Sequence, residues 1–191
     1  LTILQIALDE KQLVAGLSDA RSRERAFRTL VAEYGPLLHR HLLRMLSSPA
    51  DVDDVLQNTF VKVFRSIDRF RGDAKLSTWL YRIATNEALN WLRSKKRREK
   101  SFTNEEPQRL AESMLRADPY FDGDEAQAQL LLAMKSLPEK QRMVFSLRYF
   151  DDLPYREISQ ITDTSEGALK ASYHLAAKKI EEILKAYVQQ R

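Results

Sequence analysis

The stretch Ser48-Pro49-Ala50-Asp51-Val52-Asp53-Asp54-Val55-Leu56-Gln57-Asn58-Thr59-Phe60-Val61-Lys62-Val63-Phe64-Arg65-Ser66-Ile67 reads as one helix. Ser48 is a favoured N-cap residue, and Pro49 fits the first helical position, where no amide proton is needed. Asp51, Asp53 and Asp54 fall in the opening turns, where the helix dipole favours negative charge. Val52, Val55, Leu56, Phe60, Val63, Phe64 and Ile67 recur at the spacing of a single apolar stripe. Upstream, Phe27, Leu30, Val31, Tyr34, Leu37, Leu38, Leu42, Met45 and Leu46 follow the same period, with Pro36 expected to bend or divide that helix. Downstream, Gly72 closes the helix or the turn beyond it. Ser77 or Thr78 is expected to cap a third helix through Trp79, Leu80, Ile83, Ala84 and Leu92, ending in Ser94-Lys95-Lys96-Arg97-Arg98.

The pattern breaks over 99–124, where Ser, Thr, Asn, Pro and acidic residues accumulate, and this segment reads as a linker. Helical spacing resumes with Leu130, Leu131, Ala133, Met134 and Leu137, stops at Pro138, and returns with Met143, Val144, Leu147 and Tyr149. After the turn Asp151-Asp152-Leu153-Pro154, a short helix at about 154–161, a polar turn and a longer helix from about 165 have the proportions of a helix-turn-helix. An ordinary helical hairpin with a solvated face has the same spacing. The fold class is therefore all-α: two small helical domains, 1–98 and 125–191, joined by a flexible acidic linker, the second containing the helix-turn-helix.

Composition narrows the function. The 191 residues include no cysteine, three histidines (His39, His41, His174) and no glycine-rich phosphate loop, so there is little from which to build a catalytic or metal site. An enzyme is not expected, nor a cofactor. No apolar run reaches the roughly 20 residues of a membrane span, and Leu1-Thr2-Ile3-Leu4 reads as a trimmed N-terminus rather than a signal peptide. Absent cysteine fits a reducing cytoplasm. Charge is uneven: residues 1–98 carry 18 Lys+Arg against 11 Asp+Glu, 99–124 carry 3 against 7, and 125–191 carry 10 against 9. A basic first block suits nucleic acid.

Two regions carry that chemistry. Trp79, Tyr81, Asn86, Asn90 and Trp91 are interleaved with Arg82, Arg93 and the basic run 95–98. Aromatic faces stack on unpaired bases, amides read base edges and cations hold phosphates; the same residues also suit a core helix with a basic C-terminus. In the final helix, Gly167 and Ala168 let an N-terminus approach phosphates closely. Lys170, Ala171, Ser172, His174 and Lys178 would then project into a major groove.

Asp51-Val52-Asp53-Asp54-Val55-Leu56-Gln57-Asn58-Thr59-Phe60 resembles the polymerase-binding helix of the RNA polymerase sigma factors of the sigma-70 family, in their small extracytoplasmic-function (ECF) form. Phe70-Arg71-Gly72-Asp73 with Ser77-Thr78-Trp79-Leu80-Tyr81-Arg82-Ile83-Ala84 and Asn86 resembles their promoter-melting segment. Leu137-Pro138-Glu139-Lys140-Gln141-Arg142 and Tyr155-Arg156-Glu157-Ile158 resemble the start of their −35-reading domain. The resemblance covers roughly 20–98 and 126–186, in the family's order.

It implies a cytoplasmic factor that binds core RNA polymerase through the β′ coiled coil and the β flap, directs it to promoter DNA, and is held inactive by an anti-sigma factor, with no membrane insertion. Asp51, Asp54, Gln57 and Asn58 would meet polymerase, Asn58 standing where the family usually has Glu. Ser66, Phe70, Tyr81 and Asn86 would border the pocket for a flipped −10 base, and Leu76, Ser77 and Thr78 would form its specificity loop. Trp79 matches a family tryptophan, and Lys62, Arg71, Lys75, Arg82 and Arg93 would hold phosphates. Arg148, Tyr155, Ser165, Gly167, Lys170, Ala171, Ser172, His174 and Lys178 would serve the −35 element. Ser172, Leu175 and Ala177 replace Arg residues usual in the family, so guanine readout and phosphate affinity are expected to fall. Room beside Ala171 and Ser172 would let Tyr173 or His174 approach the groove. The alternatives are a stand-alone helix-turn-helix regulator, which would footprint promoters without polymerase, and a helical protein adaptor.

Overall fold

The computed structural model describes residues 3–46, 48–99 and 125–189, with side chains over 10–46, 48–98 and 125–189. The described residues form eight α-helices and one short 3-10 turn. In chain order these are α1 (Ile3–Ser18), α2 (Arg23–Met45), α3 (Pro49–Ser66), the 3-10 turn Ile67–Arg69 and α4 (Leu76–Glu99). They are followed by α5 (Glu125–Lys135), α6 (Glu139–Tyr149), α7 (Tyr155–Thr162) and α8 (Glu166–Gln189). The expected linker falls almost wholly outside the described residues.

Local chemistry sets most boundaries. α3 begins at Pro49 after Ser48, as the sequence predicts, although the Ser48 hydroxyl makes no capping bond. Gly72 lies beyond α3 with φ +76, a left-handed conformation that glycine adopts without a Cβ clash. Asp163 (φ 52) ends α7 in the left-handed cap conformation. Ser165 caps α8, its hydroxyl accepting from the Ala168 amide at 3.4 Å.

Three expectations change. α2 runs through Pro36 without a break. α1 adds a helix ahead of the first one read from the sequence, and packs so closely on α2 that a Cβ at Gly16 would meet the Ala26 methyl at 3.0 Å. α4 starts at Leu76, ahead of Ser77 and Thr78, because Glu10 of α1 accepts a hydrogen bond from the Leu76 amide. A carboxylate supplied from another helix thus does the work expected of a local hydroxyl.

The apolar faces converge on a core that joins the two halves. Leu30, Leu38 and Leu42 of α2, Val52, Val55 and Val63 of α3, and Leu80, Ala84 and Ala88 of α4 pack into one cluster with Met143, Val144 and Leu147 of α6 and Ile158 and Ile161 of α7. A second cluster lies within the C-terminal half, where Met134 and Leu137 meet Phe145, Ala176 and Ile180.

The halves also share a buried polar junction. Asp151, just past α6, accepts hydrogen bonds from Arg44 and from the Tyr81 hydroxyl (3.3 Å) and faces His41 Nδ1 at 3.2 Å. The other His41 nitrogen meets Thr85 at 3.0 Å, and Arg44 Nε donates to Ser146 at 2.9 Å. Burial alone would raise the Asp151 pKa; the His41 and Arg44 contacts outweigh it and hold the carboxyl below its usual value. Its contribution to stability is thus present above the ordinary carboxylate range and lost as pH falls through the depressed value.

One buried group works against the fold. The Lys135 ammonium, at the end of α5, is enclosed and meets no hydrogen-bond partner among the described residues. Burial, then the charge of Arg142, draw its pKa from 10.5 down to about 8. The unfolded chain therefore holds the extra proton between pH 8 and 10.5, and this group's penalty fades as pH rises through that window. Lys135→Met is expected to stabilise the protein by about 1 kcal/mol at pH 7, with the gain shrinking toward pH 10. Thermal melts of both proteins at the two pH values check this; an equal or larger gain at pH 10 would contradict it.

Candidate polymerase and promoter interface

On α3 the side chains of Asp54, Gln57 and Asn58 stand exposed on one face. Asp51 is set apart: it is half-buried and paired with Lys95 at 3.3 Å. The same face continues into Val61, 42% exposed, which the sequence reading did not select. Its signal was there, since 54, 57, 58 and 61 share a helical stripe. Phe64, assigned to the inner stripe from sequence, is 43% exposed and lies edge-on against Phe27 at 5.0 Å. A carboxylate, two amides and an apolar patch on a rigid helix suit a partner with basic and apolar groups.

On α4, Arg82, Asn86, Asn90 and Arg93 lie exposed on one side, with half-buried Trp79 at its start. Neither Arg82 nor Asn86 hydrogen-bonds to any described residue, whereas Arg93 leans on Asn90 at 3.4 Å. A hollow between α3 and α4 brings Asn86, Asn90, Ser66 and Lys62 together with Arg65 and Arg69. The two arginines, Arg65 near the end of α3 and Arg69 in the 3-10 turn after it, were missed in sequence; their four-residue spacing was the available cue. Lys62 is held there by Glu87 at 2.5 Å.

The structure does not bring the four expected pocket residues together. Ser66 and Asn86 line this hollow. Phe70 lies in a separate one with Gly72, Lys75 and Thr78, its ring tilted against Trp79 at 5.4 Å. Tyr81 is 5% exposed and faces α2 and the C-terminal half, edge-on to His41 at 5.1 Å. Burial first, then the Asp151 charge, push its phenol pKa well above the ordinary value. In the specificity loop, Leu76 is buried and Thr78 is 2% exposed, while Ser77 is half-buried. Arg71 and Lys75 are exposed.

In the C-terminal half, Gly167, Lys170, Ala171, His174 and Lys178 form one exposed stripe along α8, and open space surrounds the Gly167 Cα. Ser172 lies off the stripe and half-buried. Tyr173, foreseen beside the groove, is half-buried, with its ring stacked on Phe145 at 5.5 Å. Tyr155 is half-buried, with Arg148 and the Lys170 ammonium each 5.7 Å from its ring centre. Arg148 is also paired with Asp152 at 2.8 Å. Between α5, α6 and α8 lies an apolar groove that includes Leu130, Phe145, Tyr149, Phe150 and Leu184.

The arrangement has known counterparts. Residues 30–98 match the Sigma-70 region 2 family model and residues 127–180 match the model of Sigma-70, region 4. An ECF RNA polymerase sigma-E factor of Salmonella typhimurium is 33% identical over 165 residues, 83% of this chain and 86% of that protein. The chain belongs to the ECF RNA polymerase sigma factors. It is a promoter-directing factor rather than a stand-alone regulator, in a family whose members are not enzymes. Among solved structures, CnrH in complex with the cytosolic domain of CnrY shares the fold, with a TM-score of 0.68 at 24% identity over 93% of this chain and 98% of that one. The sigma factor RpoE in complex with the anti-sigma factor NepR from Bartonella quintana has a TM-score of 0.68 at 20% identity, covering 83% and 96%. No helix among the described residues is long and apolar enough to cross a membrane.

Proposed function

We propose that this sigma factor divides its work as residues 1–98 and 125–191, joined by the acidic segment 99–124. The first half binds core RNA polymerase and captures melted −10 bases, and the second reads the −35 element. The observation that carries this is the pair of open faces in the first half: Asp54, Gln57, Asn58 and Val61 on α3, and Arg82, Asn86, Asn90 and Arg93 on α4. The α3 face meets the β′ coiled coil. The α4 face, with Ser66, Arg65 and Arg69 beside it, holds the unpaired strand. The apolar groove between α5, α6 and α8 receives the β flap. The protein works in the cytoplasm, without catalysis or a cofactor of its own, and an anti-sigma factor restrains it; the similar sigma factor RpoE is held in a complex with the anti-sigma factor NepR.

The α8 stripe presents Lys170, Ala171, His174 and Lys178 and no arginine. Bidentate guanine contacts are scarce there, while small Ala171 leaves room for thymine methyls. Core polymerase reconstituted with this factor is therefore expected to initiate from promoters with a T-rich −35 element. Selection of bound duplexes from a random pool, with core alone as control, tests both levels. A G-dominated −35 motif overturns the reading of α8. The absence of any promoter preference beyond that of core alone overturns the proposed division of labour.

A further inference from the structure

The segment from the 3-10 turn to α4 is held at both ends by the corner of α1 and α2. At its entry, Arg23 of α2 pairs with Asp68 of the 3-10 turn. The same guanidinium donates through Nε to the Leu17 carbonyl of α1 at 2.9 Å. At its exit, Glu10 of α1 accepts a hydrogen bond from the Leu76 amide, the first of α4. Helix α1 is itself firmly seated: Leu13 and Leu17 are buried in the core, and Ser22 donates to the Gly16 carbonyl at 2.9 Å. Glu10 is half-buried, and with Val14 it walls the hollow that contains Phe70, Lys75 and Thr78.

We propose that Glu10 is a positioning residue for −10 readout: by capping α4 at Leu76 it fixes the specificity loop in its reading shape, so that a helix lying ahead of the residues matched to Sigma-70 region 2 tunes promoter selectivity without touching DNA.

The first amides of a helix have no partner within it. A carboxylate satisfies one of them and complements the positive end of the helix dipole, through a charge-assisted bond stronger than a neutral one. Leu76 is fully buried and anchors the loop from below. The Glu10 bond fixes how the chain leaves that anchor, and with it where half-buried Ser77 and exposed Arg71 and Lys75 stand. A loop ordered before the strand arrives binds it without a further ordering cost, and a wrong base cannot remould it. A carboxylate repels phosphate, which suits Glu10 to shaping the loop and not to holding the strand. Glu157 of the C-terminal half also reaches this loop, through the Lys75 and Thr78 side chains. Glu10 differs in gripping the backbone, and in belonging to the half that carries the loop.

This inference rests on the −10 reading above, and the test separates the two. Holoenzyme is reconstituted from core polymerase and the full-length factor, either unchanged or carrying Glu10→Ala or Glu10→Gln. Permanganate reactivity reports open-complex formation on the selected promoter and on versions with single changes in the −10 or the −35 element. Glu10→Ala is expected to cut discrimination among −10 bases about 10-fold, with −35 discrimination and core affinity unchanged. Glu10→Gln, whose amide oxygen still accepts from Leu76, is expected to restore most of it. Amide hydrogen exchange should show the Leu76 N–H protected in the unchanged and glutamine proteins and exposed in the alanine protein. If circular dichroism shows that Glu10→Ala does not fold, Glu10→Asp, one methylene short of the amide, carries the same readouts. Unaltered −10 discrimination in the alanine variant overturns the proposal. So does an equal loss on −10 and −35 changes, which marks a merely structural role, or a glutamine variant as impaired as the alanine one. An unprotected Leu76 amide in the unchanged protein overturns the cap. An unchanged factor with no preference among −10 bases overturns the −10 reading itself, and this inference with it.

Discussion

Replacing Asp54 and Gln57 together with Ala is expected to weaken association with core RNA polymerase by about 100-fold. Both side chains are exposed on a well-packed helix, and neither forms a hydrogen bond or ion pair with a described residue. Removing them therefore takes nothing from the fold. Hydrogen bonds to charged groups contribute about 1.5–3 kcal/mol each, so losing one such bond and one weaker amide bond removes about 3 kcal/mol, near two factors of ten in affinity. A fluorescence titration of labelled factor with core enzyme measures this, with circular dichroism verifying that helical content is retained. Unchanged affinity would remove the α3 face from the interface. Asp51→Ala should matter less, because Asp51 is already engaged by Lys95.

Asn86→Ala is expected to reduce open-complex formation on duplex promoters by about 10-fold. Extruding a base requires a few kcal/mol, which contacts to the captured base must offset, and an amide reading a base edge contributes about 1–3 kcal/mol of discrimination. Asn86 is exposed, hydrogen-bonds to no described residue and shares a hollow with Ser66, Arg65 and Arg69. The variant should also relax preference at one −10 position. A template already unpaired over that region should recover part of the loss, since unpairing is no longer driven by protein contacts. Permanganate reactivity of the promoter reads this directly. Wild-type reactivity together with unaltered base preference would remove Asn86 from the capture site.

How far the sequence carried depends on the range of each interaction. The α3 stripe, Pro49 at its start and the polar break at 162–165 are local signals, and the structure follows them. The α8 stripe of Gly167, Lys170, Ala171, His174 and Lys178 was legible for the same reason, since one helix fixes which side chains share a face. Three features were not legible. The cap of α4 comes from Glu10, 66 positions away along the chain. The inward turn of Tyr81 depends on Asp151, 70 positions away, and no periodicity distinguishes a tyrosine that stacks on DNA from one that donates to a buried carboxylate. Nor does the sequence reveal that Phe145 lies over the Tyr173 ring.

The apolar cluster that runs from α2, α3 and α4 into α6 and α7 bears on how factors of this kind exchange parts. A chimera that joins residues 1–98 of this chain to the C-terminal half of a relative must supply a surface that fits Leu38, Leu42 and Leu80. It must also supply a carboxylate where Asp151 stands, or leave Arg44 and His41 without their partner. New promoter specificity transplanted by the helix-turn-helix alone, residues 155–189, keeps the turn that carries Asp151 and loses only the α7 side of the seam. The useful unit of exchange is therefore smaller than the half-chain and begins after Pro154.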